Sequence, residues 1–264
     1  MRLAFRVSYL GGRFYGSQMQ AEQRTVEGEF VAACQRLDLF SDWRKAGFVS
    51  AGRTDRGVHA RGQVIAFTTD EPDRAIETLN LQLPPDCWCT GSAEVPEKFH
   101  PRYDAISRTY RYYFPAGQLD TIAMTEAAGQ FLGTHNFSNF ARVRDKNPYR
   151  TVLAIQIGED DDFIYVEVKA ESFLWHQVRC MAAMLAKVGR NESGKDAIAE
   201  LLQNPAGKSL QPAPAEGLVL WDTDCGISYN PIPAGLRSRT FLDHLIRHHA
   251  LMEKVCREMG KGPE

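Results

Sequence analysis

The sequence predicts an α+β fold in which helices pack on a mostly antiparallel sheet. Three observations carry that expectation: apolar residues alternate with polar ones at the start of the chain, capped stretches of helical period follow, and strand-like runs are joined both by short polar turns and by helices. At ~100 to 200 residues per domain, a chain of 264 residues forms one large domain or two packed ones.

Leu3, Phe5, Val7 and Tyr9 alternate with polar or small neighbours, the pattern of a half-buried strand, and Gly11-Gly12 ends it. Thr25 is placed to cap a helix whose Val26, Phe30, Ala33 and Leu37 share a face, with Glu27 and Glu29 near its positive end. Residues 63–69 read as a strand, and Pro72 starts a helix reaching Leu81. Thr109 to Phe114 is a tyrosine-rich strand. A helix over 122–132 follows, then strands over 151–157 and 163–169 around the polar turn Glu159-Asp-Asp-Asp162. Val178, Met181, Leu185 and Val188 mark a further helix, Pro205 to Pro214 a loop, and Leu218 to Trp221 a strand. From Thr240 the tail reads as an amphipathic helix with Phe241, Leu245, Met252 and Val255 on one face. This order suits two α+β halves, 1–104 and 105–264, although no internal sequence repeat marks them.

Hydrophobic content of 44% and charged content of 24% describe an ordinary folded, soluble chain and assign no activity. The longest apolar runs, such as Met181 to Ala186, fall well short of the about 20 residues a membrane span needs. Arg2 and Arg6 interleave with apolar residues as in a strand, not as in a secretion signal, so a cytoplasmic protein is expected. The six cysteines are scattered, and their one close pair, Cys87 and Cys89, lacks the spacing of zinc or redox motifs; reduced, buried thiols are expected. His244, His248 and His249 have helical spacing but no supporting ligand pair, so no metal is assigned.

A formal net charge of −2 argues against a general nucleic-acid coat protein, so any RNA contact must come from local basic patches. Three exist: Arg53, Arg56 and Arg61; Arg102, Arg108 and Arg111; and Arg142, Arg144, Lys146 and Arg150. Each taken alone is better read as a solvated surface.

Ala51-Gly-Arg-Thr-Asp-Arg-Gly-Val-His-Ala60 is too rich in charge and glycine for a plain connection. Gly52 and Gly57 permit backbone conformations closed to other residues, which would present Asp55 tightly. An aspartate completing a turn is the ordinary reading. Arginines on both sides shift the balance, because a nearby guanidinium favours an ionised carboxylate that is ready to act as a nucleophile.

This loop resembles the catalytic loop of the tRNA pseudouridine synthase A family, with Asp55 at the position of the catalytic aspartate. The resemblance continues through residues 9–20, Thr25-Val-Glu27, Phe99 to Arg102, Ser107 to Tyr112, Gly133 to Phe140, Ser172 to Arg179 and Pro214 to Leu218, about nine tenths of the chain in the family's order. The tail after Tyr229 lies outside it. Ser17 stands where the family usually has tryptophan, Arg56 where alanine is common and Cys180 where asparagine is common. The Ser17 change is read as altered packing or RNA contact beside the loop.

The resemblance implies a pseudouridine synthase fold: two ferredoxin-like halves sharing one continuous sheet, with the active-site cleft between them. It implies conversion of uridine to pseudouridine in the tRNA anticodon arm, around positions 38 to 40, by a homodimer without cofactor. Asp55 would be nucleophile or electrostatic partner, attacking the sugar or helping to remove its 2′ proton, Arg179 the arginine that orients it, and Tyr110 the ring that stacks on the flipped uracil. Arg53, Arg56, His59 and Gln18 join Tyr110 in the substrate-binding set. His59 and His135 suit hydrogen bonding better than acid catalysis, and the 142–150 stretch is a candidate tRNA contact. The rival readings are a synthase of the same family acting on other tRNA uridines, a silent tRNA-binding protein, and a nucleoside hydrolase or glycosidase, which ordinarily uses paired carboxylates.

Overall fold

The computed structural model describes residues 1–117, 119–143, 147–205 and 210–261. In chain order the elements are β1 (Arg2–Tyr9), α1 (Val26–Arg36), β2 (Val49–Ser50), β3 (His59–Thr68), α2 (Pro72–Gln82), β4 (Cys87–Glu94) and β5 (Ser107–Pro115). Then come α3 (Thr121–Ala128), β6 (Gly133–Asn136), β7 (Tyr149–Asp160), β8 (Phe163–Ala170), α4 (Gln177–Gly189), α5 (Ala197–Gln203), β9 (Leu218–Asp224), β10 (Asn230–Pro231) and α6 (Leu236–Met259). The fold is α+β, as expected from the mixture of hairpins and helical connections.

All ten strands form one sheet, ordered β10-β4-β1-β3-β9-β5-β8-β7-β6, with β2 beside β3. Neighbours pair antiparallel except β3 and β9, which run parallel over the short register His59↔Val219 and Ala60↔Leu220. That seam matters for the site, because β3 begins where the Asp55 loop ends.

Period-2 alternation divides the strands between two cores. Leu3, Phe5, Val7 and Tyr9 of β1, Ile65 and Phe67 of β3, and Val166 and Val168 of β8 enter the main cluster with Phe30 of α1, Leu79 of α2 and Met181 and Leu185 of α4. Ala4, Val64, Ala66, Ala93, Val95 and Phe99 make a smaller cluster on the other face. The strand β1 is therefore buried on both faces and not half-buried as its alternation suggested. Small Ala4 permits this, and Arg2 is tolerated because it donates to the carbonyls of Phe99 and Gly47 at 2.8 and 3.2 Å.

Thr25 caps α1 as expected, accepting the Gly28 N–H at 3.2 Å. The helix expected over 122–132 stops at Ala128 and tightens into a 3-10 turn over Gly129–Phe131. The tail folds back over the first part of the chain: β10 pairs with β4, Asn80 Nδ2 donates to the Pro233 carbonyl at 3.2 Å, and Arg13 lies 5.4 Å over the Phe241 ring. Six cysteines are free; Cys34, Cys87, Cys89 and Cys180 are buried, whereas Cys225 is partly and Cys256 fully exposed, so the expectation of buried thiols fails at the last. No described helix is long and apolar enough to cross a membrane.

Candidate active site

The segment from Ala51 to Val58 is pinned from several sides. The Thr54 N–H donates to Ser17 Oγ at 2.8 Å, its carbonyl accepts from the Ser17 N–H at 3.1 Å, and its hydroxyl lies 2.8 Å from that of Tyr9. Gln63 and Arg108 donate to the carbonyls of Gly52 and Ala51 at 2.8 and 2.9 Å. Ser17 is itself buried and bonded to the loop. Gly57 adopts φ +86°, the left-handed region that favours glycine. Gly52 does not, which corrects the expectation that both glycines supply such conformations.

This pinning leaves the Asp55 carboxylate facing the start of α4. Its Oδ1 accepts from Trp175 Nε1 at 2.9 Å and its Oδ2 from Arg179 Nη1 at 3.2 Å, while His176 Nε2 stands 3.3 Å from Oδ2. Arg179 is fixed in turn: its Nε donates to the Ala213 carbonyl at 2.7 Å, and the Ala213 N–H donates to the Arg179 carbonyl at 3.0 Å. His176 caps α4 at φ +65°, a conformation costing on the order of 1–3 kcal/mol outside glycine. Burial holds its pKa below the ordinary histidine value; Asp55 works against that shift, and Arg179 and Arg142 add to it. Its Nδ1 is buried with no hydrogen-bond partner among the described residues.

Tyr110 enters from β5, and its ring meets that of Phe173 edge-on at 5.2 Å. Burial pushes its phenol up to about 12, with Asp55 adding to the rise and Arg108 opposing it. Asp55, Arg179, Tyr110 and Arg53 line one open cleft, together with Phe173, Trp175 and His176. Asp55 is the one carboxylate among the described lining residues, which disfavours the paired-carboxylate chemistry of a glycosidase. No group of three His, Cys, Asp or Glu among the described residues is placed to hold a metal ion.

Three residues of the expected substrate-binding set do not line the cleft. Arg56 is exposed with its guanidinium 4.3 Å over the Tyr15 ring, and Gln18 is exposed on the loop before α1. His59 Nδ1 accepts the Gly11 N–H at 3.0 Å, and burial lowers its pKa, so it braces the loop after β1 as a neutral ring. His135 likewise bonds the Leu132 carbonyl at 2.7 Å.

Two members of the second basic cluster are engaged inside the fold, while Arg102 is exposed. Arg108 donates to the carbonyls of Ala51, Arg102 and Glu171, and Arg111 pairs with Glu167 at 2.7 Å while stacking on Trp221. Arg150 bonds the carbonyls of Asn147 and Tyr149, whereas Arg142 is exposed. Arg144 and Lys146 lie outside the described residues. Trp175 and His176 were not foreseen as partners of Asp55. The signal was present: they directly precede the helix turn bearing Arg179, and whatever carries that arginine to Asp55 carries them too.

Residues 127–224 match the family described as tRNA pseudouridine synthase, which sets the class as an isomerase. A tRNA pseudouridine synthase A of Methanoculleus marisnigri is 56% identical over 99% of this chain and 96% of its own length. The enzyme of that name from Methanosphaerula palustris is 52% identical over 97% and 91%, and that from Thermococcus sibiricus 42% over 84% of each. The chain belongs to the tRNA pseudouridine synthase A family.

Proposed function

We propose that this chain converts uridine to pseudouridine in the anticodon arm of tRNA, around positions 38 to 40, with Asp55 as the nucleophile. The observation that carries this reading is the Asp55 carboxylate, held by Arg179 in a cleft shared with Tyr110. The carboxylate attacks ribose C1′, the C1′–N1 bond breaks, and its electron pair leaves with the uracil. The uracil turns, C5 attacks C1′ and displaces the carboxylate, C5 gives up its proton, and N1 gains one. Nothing is oxidised or reduced and the atoms balance, so the chemistry calls for no cofactor.

Arg179 orients Asp55 in this scheme, and the Tyr110 ring retains the detached uracil by stacking. Arg53, exposed at the rim, meets the backbone of the extruded nucleotide. Residues 1–104 and 105–264 act as two halves around the cleft in a cytoplasmic homodimer. The test is release of tritium from tRNA labelled at uridine C5: the wild-type chain releases it, and Asp55→Asn binds the same tRNA and releases none. Full release by Asp55→Asn refutes the reading.

A further inference from the structure

The Asp55 carboxylate is held unequally. Its Oδ2 faces inward, toward Arg179 and His176, whose side chains are only 14% and 11% exposed. Its Oδ1 accepts the indole N–H of Trp175, a residue 39% exposed at the mouth of the cleft. The two inner donors can stay in place while a nucleotide enters. The outer one occupies a lone pair of Oδ1 and stands beside it on the exposed side of the cleft.

Trp175 is also tied to the first residue of the basic stretch. Arg142 and Trp175 form an isolated antiparallel bridge, the Arg142 N–H donating to the Trp175 carbonyl at 2.9 Å. The exposed Arg142 guanidinium lies 5.0 Å over the indole ring, within the range of cation–π attraction. A phosphate is a far stronger partner for a guanidinium than an exposed ring face.

We propose that Trp175 is a latch on Asp55: its indole covers Oδ1 in the free protein, Arg142 clamps the indole, and an RNA phosphate that takes Arg142 lets the indole go. Oδ1 is then the oxygen that meets the sugar, while Arg179 and His176 keep Oδ2. The inference rests on the RNA-modifying reading for the ligand, a phosphate-bearing strand. It adds a positioning residue that works before the chemical step and not during it.

The test uses the full chain labelled with ¹⁵N at indole nitrogen, which carries four tryptophans. The Trp175 resonance is the one missing from Trp175→Phe, or, should that variant not fold, the one displaced by Asp55→Ala. A saturating unmodified anticodon stem-loop is expected to move it to its position in Asp55→Ala and to speed its exchange with water. In turnover, Trp175→Phe is expected to lower KM about three- to tenfold, the equivalent of one partly exposed hydrogen bond that no longer has to break. A resonance unmoved by saturating RNA overturns the latch, as does a tenfold fall in kcat at unaltered KM, which would mean the indole holds Asp55 through the reaction. Absence of pseudouridine from the wild-type incubation refutes the functional reading instead, and leaves the resonance test of the latch standing.

Discussion

Arg179 Nη1 meets Asp55 Oδ2 at 3.2 Å across 124 positions of sequence, and the same guanidinium is tied through Nε to the Ala213 carbonyl. The tie to Ala213 explains why the pair holds its geometry, since the arginine cannot swing toward solvent without abandoning a second bond. Arg179→Ala removes the inner cation and leaves the exposed Arg53 and Arg142 untouched. Its kcat is expected to fall on the order of 10²–10³-fold, the size associated with loss of one preorganised charge-stabilising donor, with tRNA affinity little changed. Single-turnover tritium release beside filter binding separates the two, and a loss confined to affinity contradicts the assignment.

Ser17→Ala tests the brace beneath the loop that carries Asp55. The buried Ser17 hydroxyl is the acceptor for the Thr54 N–H, and without it that donor has no partner in a site closed to water. A penalty of about 1–3 kcal/mol follows, lowering Tm by roughly 2–10 °C. Because Thr54 adjoins Asp55, kcat should drop as well. Calorimetry showing unchanged Tm with unchanged kcat would remove Ser17 from the argument.

The period-2 and capped 3.6-period patterns made β1, α1, α2 and the paired β7 and β8 legible, because burial on a strand or helix face writes itself into local spacing. Asp55, Arg179 and Tyr110 were legible through motifs, and the structure places them on one cleft. The second burial of β1 was not, since only the sheet order puts β3 and β4 on its flanks and the cluster around Phe99 behind it. Nor was the left-handed φ of His176 at the start of α4, which no local pattern marks. The inward turn of Arg108 is equally non-local: its three carbonyl acceptors come from Ala51, Arg102 and Glu171.

Arg24 and Asp86 should differ sharply when each is removed. They form a two-pronged pair at 2.8 and 2.9 Å, with side-chain exposures of 33% and 4%. Arg24→Ala strands a buried carboxylate, and about 3–5 kcal/mol is the expected loss. Asp86→Asn leaves Arg24 near solvent, still bonded to Glu29 at 2.7 Å and stacked on Phe14, so about 1–3 kcal/mol is expected. The Leu10 N–H bonds the Asp86 carbonyl, which links this pair to the loop bearing Ser17. Urea unfolding of the two variants decides it, and equal losses would mean that burial is not what distinguishes them.

The stability of the fold should weaken on the acid side of neutrality, and His176 should account for part of the change. Burial depresses its folded pKa, so the unfolded chain takes up a proton first as pH falls below about 6.5, the unperturbed histidine value. The stabilisation is therefore present above that pH and is lost as pH falls through the depressed folded value, with a slope no steeper than about 1.4 kcal/mol per pH unit for this group. His59, depressed by burial in the same direction, adds its own share. His176→Asn removes the titrating ring while keeping a residue that accepts a left-handed backbone, so it isolates the charge from the turn. Unfolding free energies of wild type and variant measured from pH 7.5 to 5 should converge toward the acid end. Parallel curves across that window would show that His176 does not resist protonation, and that the carboxylate 3.3 Å away offsets its burial.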